Sequence, residues 1–460
     1  MEVKVLTFGW EFPPHISGGL GTACEGLTKA LLEQGTKVLF VVPKAYGDEE
    51  INLINASEIL VNVGQAEEEP ASHSGGSQAR VPLEVLQVRS GIVPYTVGEG
   101  SRESAGDLTR WNYSPEGSDL PADGRRSTVK YSFSGTYGPS LLEEVMAYAE
   151  IGAVIGATYD FDVIHAHDWL TYSAGIAAKR ASGKPLIVHV HATEYDRAGE
   201  HVDERVVSIE KEGLESADRV VAVSHWTRNI VINKYNIDAG KVCVIHNGVA
   251  SRKSSKGELV KWAPFRGKNL VTFLGRVTYQ KGPAYFVDAA KRVLSRFPDT
   301  HFVMAGAGDQ LPSMIDLVAK YGISSRFHFT GFLRGGEVSK LWSMTDVYVM
   351  PSVSEPFGIA PLEAIAQGVP VIISKQSGVS EVMADALKVD FWDTEALAEA
   401  ICSLLYRKTL SKVLRRRSLD SLQRVTWESA ATKLNQLYHD LIKQTERGIR
   451  EPVLSGSPTA

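Results

Sequence analysis

Three short loops of the chain gather residue types that could hold a charged, hydroxyl-rich ligand. Pro351-Ser-Val-Ser-Glu-Pro-Phe-Gly-Ile-Ala-Pro-Leu-Glu363 carries two carboxylates, Glu355 and Glu363, on either side of Phe357, Gly358 and Ile359. Ionised carboxylates only accept hydrogen bonds, which suits the vicinal hydroxyls of a hexose or a ribose. Gly358 permits close backbone approach, and free N–H groups at a helix start suit a phosphate or a hydroxyl. An N-cap turn with two solvated glutamates explains the same residues equally well. Leu274-Gly-Arg276-Val-Thr-Tyr-Gln-Lys281-Gly-Pro283 sets two cations in a glycine-bounded loop. A guanidinium fork and an ammonium there could neutralise a diphosphate, or they are ordinary surface charges. Pro13-Pro-His-Ile-Ser-Gly18-Gly19-Leu-Gly21 permits a tight turn against a diphosphate without being a GxGxxG fingerprint. Turn geometry alone would also account for Gly18 and Gly19.

Histidines alternate in His165-Ala-His167-Asp168-Trp169 and His189-Val-His191-Ala-Thr-Glu194. Metal binding is one reading, but no closing ligand set is evident, and period-2 alternation is read as leaving one pair on each face. No metal is therefore expected. His167 over a cleft, bonded to a substrate hydroxyl, is the favoured reading, with the other histidines structural.

These loops need elements to hold them. Short apolar runs rich in β-branched residues recur at Val3–Phe8, Lys37–Val42, Leu83–Val88, Asp162–His167, Leu186–His191 and Arg219–Ser224. A second series occupies Leu270–Gly275, His301–Gly306, Arg326–Gly331, Asp346–Pro351 and Pro370–Ser374. Most lack strict alternation, as strands buried on both faces do. Helical periodicity intervenes at Leu20–Gln34, Tyr148–Thr158, Ala284–Phe297, Leu311–Tyr321 and Pro361–Gln367. Alternating strands and helices predict parallel α/β sheets. The polar stretch Ala250–Gly257 reads as a hinge, so the chain divides into lobes at 1–250 and 251–426. Segments 64–78 and 98–127, rich in Ser, Gly and acids, read as mobile surface insertions. A helix over 427–448 carries the apolar stripe Trp427, Ala431, Leu434, Tyr438 and Leu441. Residues 449–460 read as a disordered tail.

Composition is that of a soluble globular protein: 460 residues, 43% hydrophobic and 22% charged. A net charge of −5 disfavours nucleic-acid binding driven by phosphate contacts. Cys24, Cys243 and Cys402 form neither a CxxC pair nor a disulfide framework, which predicts a reducing compartment. The start of the chain has no leader-like region, and no apolar run approaches the roughly 18 residues of a membrane span. A cytoplasmic protein is expected.

Taken in order along two lobes, Gly18-Gly19, His167, Arg276 with Lys281, and Glu355 with Glu363 resemble the retaining GT-B glycosyltransferases of family 4, and more distantly the glycogen and starch synthases. Gly306-Ala-Gly308-Asp309 and His246-Asn-Gly-Val249 also look like family segments. The resemblance implies two Rossmann-like lobes facing across a cleft, closed by a C-terminal crossover helix. The first lobe would be on the acceptor side and the second would bind a nucleotide-sugar, UDP- or ADP-glucose, with no other cofactor. Arg276 and Lys281 would hold the donor diphosphate, and Glu363 the ribose hydroxyls. Glu355, with the N–H groups from Phe357 to Ile359, would contact the transferred sugar. Gly18 and Gly19 would face the phosphates, and His167 would hold a hydroxyl of the hexose. Asp160-Phe-Asp162 matches the Asp-x-Asp of metal-dependent sugar transferases but precedes a strand, which is the wrong edge for this site. Ile16 stands where glycogen and starch synthases have a lysine, leaving one phosphate contact unaccounted for. The opening Gly9-Trp-Glu-Phe-Pro-Pro and His165–Trp169 nevertheless look closer to glucan synthases, so an α-glucan acceptor is expected. Another family 4 acceptor, a nucleotide-sugar 2-epimerase, a glycoside hydrolase and a sugar-nucleotide sensor are the competing readings.

Overall fold

A computed structural model describes residues 2–14, 18–63, 127–135, 137–249, 265 and 267–450. The expected insertion at 64–78, that at 98–127 up to residue 126, the strand Leu83–Val88, Ile16, the hinge 250–257 and the tail beyond 450 lie outside the described residues, and Ser127 begins a strand.

In chain order the strands are β1 (Lys4–Phe8), β2 (Lys37–Val42), β3 (Leu53–Asn55), β4 (Leu60–Val63), β5 (Ser127–Lys130), β6 (Val163–His167), β7 (Leu186–Val190), β8 (Arg219–Ala222) and β9 (Val242–Val244). They continue with β10 (Asn269–Leu274), β11 (Thr300–Ala305), β12 (Phe327–Gly331), β13 (Val347–Met350), β14 (Val371–Ser374) and β15 (Leu387–Val389). One sheet runs β3-β2-β1-β6-β7-β8-β9 and the other β12-β11-β10-β13-β14-β15. Every neighbouring pair in both is parallel. Among the described residues only β4 and β5 pair antiparallel. Parallel sheets need both faces covered, and β6, β7 and β11 are buried along their whole length.

The order reverses on either side of β1 and again on either side of β10. Such switch points open a crevice beyond the carboxyl ends of the strands. The Gly18-Gly19 turn follows β1, Asp168 follows β6, Arg276 follows β10 and Glu355 follows β13. These four loops therefore leave strands that flank a switch point, while the His189–Glu194 segment leaves β7, one strand further out. Asp160 and Asp162 stand before β6, on the opposite edge, where Asp162 accepts the Lys4 backbone N–H at 2.8 Å and Asp160 pairs with the Lys4 ammonium.

The chain passes between lobes twice, and the passages touch. Val249 donates its N–H to the Val425 carbonyl at 3.1 Å and bridges Thr426. A Cβ on Gly248 would lie 2.2 Å from the Thr426 carbonyl carbon and 2.3 Å from the Trp427 nitrogen, so nothing larger fits. The helix Trp427–Arg450, two residues longer than expected, then returns to the first lobe. Trp427, Ala431, Leu434, Tyr438 and Leu441 are all buried against Val3, Val5, Leu27, Ile187 and Val221. The expected stripe is what closes that face of the first sheet.

The lobes also meet across the 351–358 loop. Ser224 Oγ donates to the Pro356 carbonyl at 2.6 Å, and Ser354 Oγ to Asp196 Oδ1 at 2.6 Å. The Glu381 carboxylate accepts the N–H groups of His225 and Trp226 at 2.9 and 2.8 Å and pairs with His246 Nε2 at 2.8 Å. These bonds hold its pKa below the usual range despite partial burial. Among the described residues no helix is long and apolar enough to cross a membrane, and the three cysteines are free.

Candidate active site

Between the lobes lies a cleft with a volume of about 600 Å³. Its second-lobe wall is built by two loops locked together. Lys281 ends a 3₁₀ turn (Tyr279–Lys281), and its Nζ donates to Glu355 Oε2 at 2.5 Å. Ser352 Oγ donates to the same oxygen at 3.1 Å. The Glu355 backbone is pinned from both sides, its N–H to the Gln376 carbonyl at 3.0 Å and its carbonyl to the Gly378 N–H at 2.9 Å. Arg276 Nη2 donates to Gln280 Oε1 at 3.2 Å, tying the guanidinium to the same turn. Arg276, Lys281 and Glu355 all line the cleft.

The helix Ile359–Ala366 begins at the cleft wall, with Gly358 as its N-cap at φ 98°. An L side chain rarely adopts that backbone. The N–H groups of Phe357, Gly358 and Ile359 donate to no described group. Unfilled donors at a helix start form an anion or hydroxyl site. Glu363 lies on this helix but outside the lining residues, and burial raises its pKa. Pro361 is the helix's third residue, within the first turn where proline is tolerated.

On the first-lobe wall, Gly18 and Gly19 line the cleft and open the helix Gly19–Glu33. The N–H groups of Gly18 and Gly21 are filled by Glu11 Oε2, at 3.2 Å each. Glu11 also accepts from the Tyr137 hydroxyl. Burial raises its pKa, and these bonds and the Arg276 charge pull it down. An internal carboxylate thus occupies the start of this helix, and Glu11 and Tyr137 join the lining.

All four histidines project from one face of the first sheet, not one pair from each. Residues two apart on a strand point the same way, and the β6–β7 register sets His167 opposite His189. His165 Nδ1 meets the Tyr438 hydroxyl at 2.7 Å and its Nε2 meets His189 Nδ1 at 3.2 Å, while His167 Nδ1 meets His191 Nε2 at 2.9 Å. Burial lowers the pKa of all four, to about 3 for His165 and His191, so they stay neutral. His191 lines the cleft and His167 sits behind it. Nitrogens of His165, His167 and His189 lie within 4.8 Å of one another. Within this trio only His165 Nε2 and His189 Nδ1 meet, His189 Nε2 is buried without a partner, and the His165 and His189 rings are stacked within 6°.

Several lining residues escaped the sequence reading. Asp168 turns the chain out of β6 at φ 62° and accepts the N–H groups of His191 and Ala192 at 2.6 and 3.3 Å. Burial raises its carboxyl to about 7, against the pull of Arg197. Arg197 is held by Glu194 at 3.0 Å and Glu210 at 2.6 Å, with its side chain 5% exposed. Asn247, Arg334 and the half-exposed Phe332 complete the set, Arg334 lying over the Phe332 ring at 5.7 Å. Asp168 and Glu11 carried a signal in their place just after a strand, and Asn247 in the segment His246–Val249.

Two parallel Rossmann-like sheets, a return helix and a cationic cleft at both switch points define a GT-B glycosyltransferase, an enzyme dependent on a nucleotide-sugar. Residues 257–419 match the model for glycosyl transferases group 1, and residues 113–253 the model for glycosyltransferase family 4. An alpha-maltose-1-phosphate synthase of Mycolicibacterium smegmatis is 32% identical over 53% of this chain and 69% of its own length. A glycogen synthase of Mycobacterium tuberculosis is 24% identical over 98% of this chain and 97% of its own. The chain belongs to this glycosyltransferase family. Among solved structures, sucrose-phosphate synthase from Thermosynechococcus elongatus aligns with a TM-score of 0.65 at 21% identity, covering 96% of this chain and 100% of that one. The catalytic domain of starch synthase IV from Arabidopsis thaliana, bound to ADP and acarbose, aligns at 0.60 and 15% identity, covering 96% and 100%.

Proposed function

We propose that this enzyme transfers glucose, with retention of configuration, from UDP- or ADP-glucose to an α-glucan acceptor. The observation that carries this reading is the convergence of Arg276, Lys281 and Glu355 with the free N–H groups of Phe357, Gly358 and Ile359 in one cleft facing Gly18 and Gly19. The second lobe, 251–426, takes the donor; the first, 1–250, faces the acceptor, and 427–448 braces it. Phe332 and Arg334 offer a flat cationic surface at the rim for the base.

As the donor bond breaks, positive charge develops on the sugar and negative charge on the departing nucleoside diphosphate. Arg276, Lys281 and the Ile359–Ala366 helix start stabilise that negative charge without a metal. The leaving phosphate takes the proton of the acceptor hydroxyl as the new bond forms on the same face. Glu355 and the N–H groups from Phe357 to Ile359 hold the hexose, Glu363 the ribose, and His167 acts with His191 at the hexose edge. A glycoside hydrolase is disfavoured because Glu355 is paired with Lys281. Three free thiols suit a reducing compartment, and we assign the enzyme to the cytoplasm.

The test is a donor screen for nucleotide release, run with and without glycogen or maltooligosaccharides. Release from UDP- or ADP-glucose that rises with glucan is the expected result. Glucan-independent behaviour with another saccharide acceptor would move the enzyme elsewhere in family 4. Conversion of the donor sugar with no acceptor would make it a 2-epimerase.

A further inference from the structure

A second cavity, of about 200 Å³, lies where the two interlobe passages run side by side. Its wall takes His246 and Asn247 from the first passage and Ser421, Arg424, Ser429 and Lys433 from the second. Arg424 and Lys433 are exposed, and neither enters an ion pair among the described residues. Of the acids beside this wall, Glu381 is engaged by His246 and Asp385 by the Ser421 hydroxyl at 3.1 Å, while Glu428 stands in the first turn of the helix Trp427–Arg450. None of the three lines the cavity, so the lining is net positive.

Two further features point to an anion. The 24-residue helix Trp427–Arg450 begins in this wall, bringing the positive end of its dipole. Asn247 is only 6% exposed, yet its side-chain amide bonds to no described group and its Oδ1 is buried without a partner. A buried amide left unfilled costs free energy; its NH₂ can donate to an oxyanion in the cavity, and its Oδ1, which only accepts, can take the P–OH of hydrogen phosphate. The volume equals that of six or seven waters at ~30 Å³ each, enough for a phosphate with a small organic body.

We propose that this cavity binds inorganic phosphate or a small phosphomonoester, separately from the donor. Asn247 also lines the active-site cleft, and Gly248 beside it is locked against Thr426. An anion here cross-ties the two passages and fixes Asn247, so it tightens nucleotide binding, and nucleotide tightens the anion by the same factor. The site needs no particular sugar or acceptor and stands apart from the substrate assignment above.

Calorimetric titration with inorganic phosphate, then with glycerol 3-phosphate, tests it on the full chain. The cleft cations also attract phosphate, so three proteins are compared: wild type, Arg424→Gln/Lys433→Gln, and Lys281→Ala. Saturable binding in wild type, retained in Lys281→Ala and weakened about tenfold or more in the double variant, is expected. The two glutamines replace exposed side chains, and an unchanged melting curve checks their fold. Binding that the double variant keeps, binding lost only in Lys281→Ala, or no saturable binding with either probe would each overturn the proposal.

Discussion

Lys281→Ala removes a charge with two separable jobs. In the resting enzyme Nζ lies 2.5 Å from Glu355 Oε2, with the two side chains 20% and 7% exposed. Removing one partner of a largely buried pair destabilises by about 3–5 kcal/mol, because the other charge is left buried and uncompensated. Ser352 Oγ still donates to that carboxylate at 3.1 Å, which favours the lower end, about 3 kcal/mol. During reaction the same ammonium stabilises charge on the departing diphosphate. Loss of one such group lowers turnover by about 10²–10³, or roughly 3–4 kcal/mol of barrier. Nucleotide release from the productive donor, with acceptor saturating, should fall by that factor, and the melting temperature should fall with it. Lys281→Ala/Glu355→Gln separates the two effects. Deleting both charges restores most of the melting temperature, as replacing both partners of a buried pair does, while turnover stays low. Turnover within about threefold of wild type, or turnover that recovers together with the melting temperature, would refute a role on the leaving group.

Glu363→Ala should weaken donor binding about 10–100-fold through lost ribose hydrogen bonds, read by nucleotide titration; a loss confined to the acceptor would remove it from the donor. Asp168, with its carboxyl raised from 3.8 to about 7, keeps a proton in the native state that the unfolded chain has released. Its contribution to stability therefore falls as pH rises from 3.8 to about 7 and is flat above, and melting temperatures of Asp168→Asn should lack that decline. An unaltered pH slope in the variant would place the titration elsewhere. Gly248→Ala forces a methyl against the Thr426 and Trp427 backbone and should destabilise by about 1–3 kcal/mol or more in urea unfolding; wild-type stability would mean that the passages part easily. EDTA should leave nucleotide release intact, and its abolition with rescue by one divalent cation would reopen the histidine cluster and Asp160–Asp162.

Buried parallel strands were legible because their side chains need not alternate: β2 and β7 stand within a residue or so of their expected bounds. The three-residue strands Leu53–Asn55, Val242–Val244 and Leu387–Val389 are too short to carry any period. The helix expected at Tyr148–Thr158 begins seven residues earlier, at Leu141, where two acidic residues in the first turn were the available cue. In the site, charges and glycines clustered in a loop could be seen because loops at strand ends are contiguous in sequence. Arg197 could not, since its place depends on Glu194 and Glu210 meeting it from two helices. The histidine ladder was misjudged for a related reason. Parity within one strand is a local fact, whereas the pairing of His167 with His189 is set by how β6 and β7 align.

The return helix has a consequence for how the chain is made. Val3, Val5, Leu27, Ile187 and Val221 emerge from the ribosome hundreds of residues before the segment that shields them. The early half of the protein must therefore wait, oily side outward, while the later half is synthesised. A nascent chain in that state invites chaperones and aggregation, and a fragment stopped ahead of Trp427 would be trapped there.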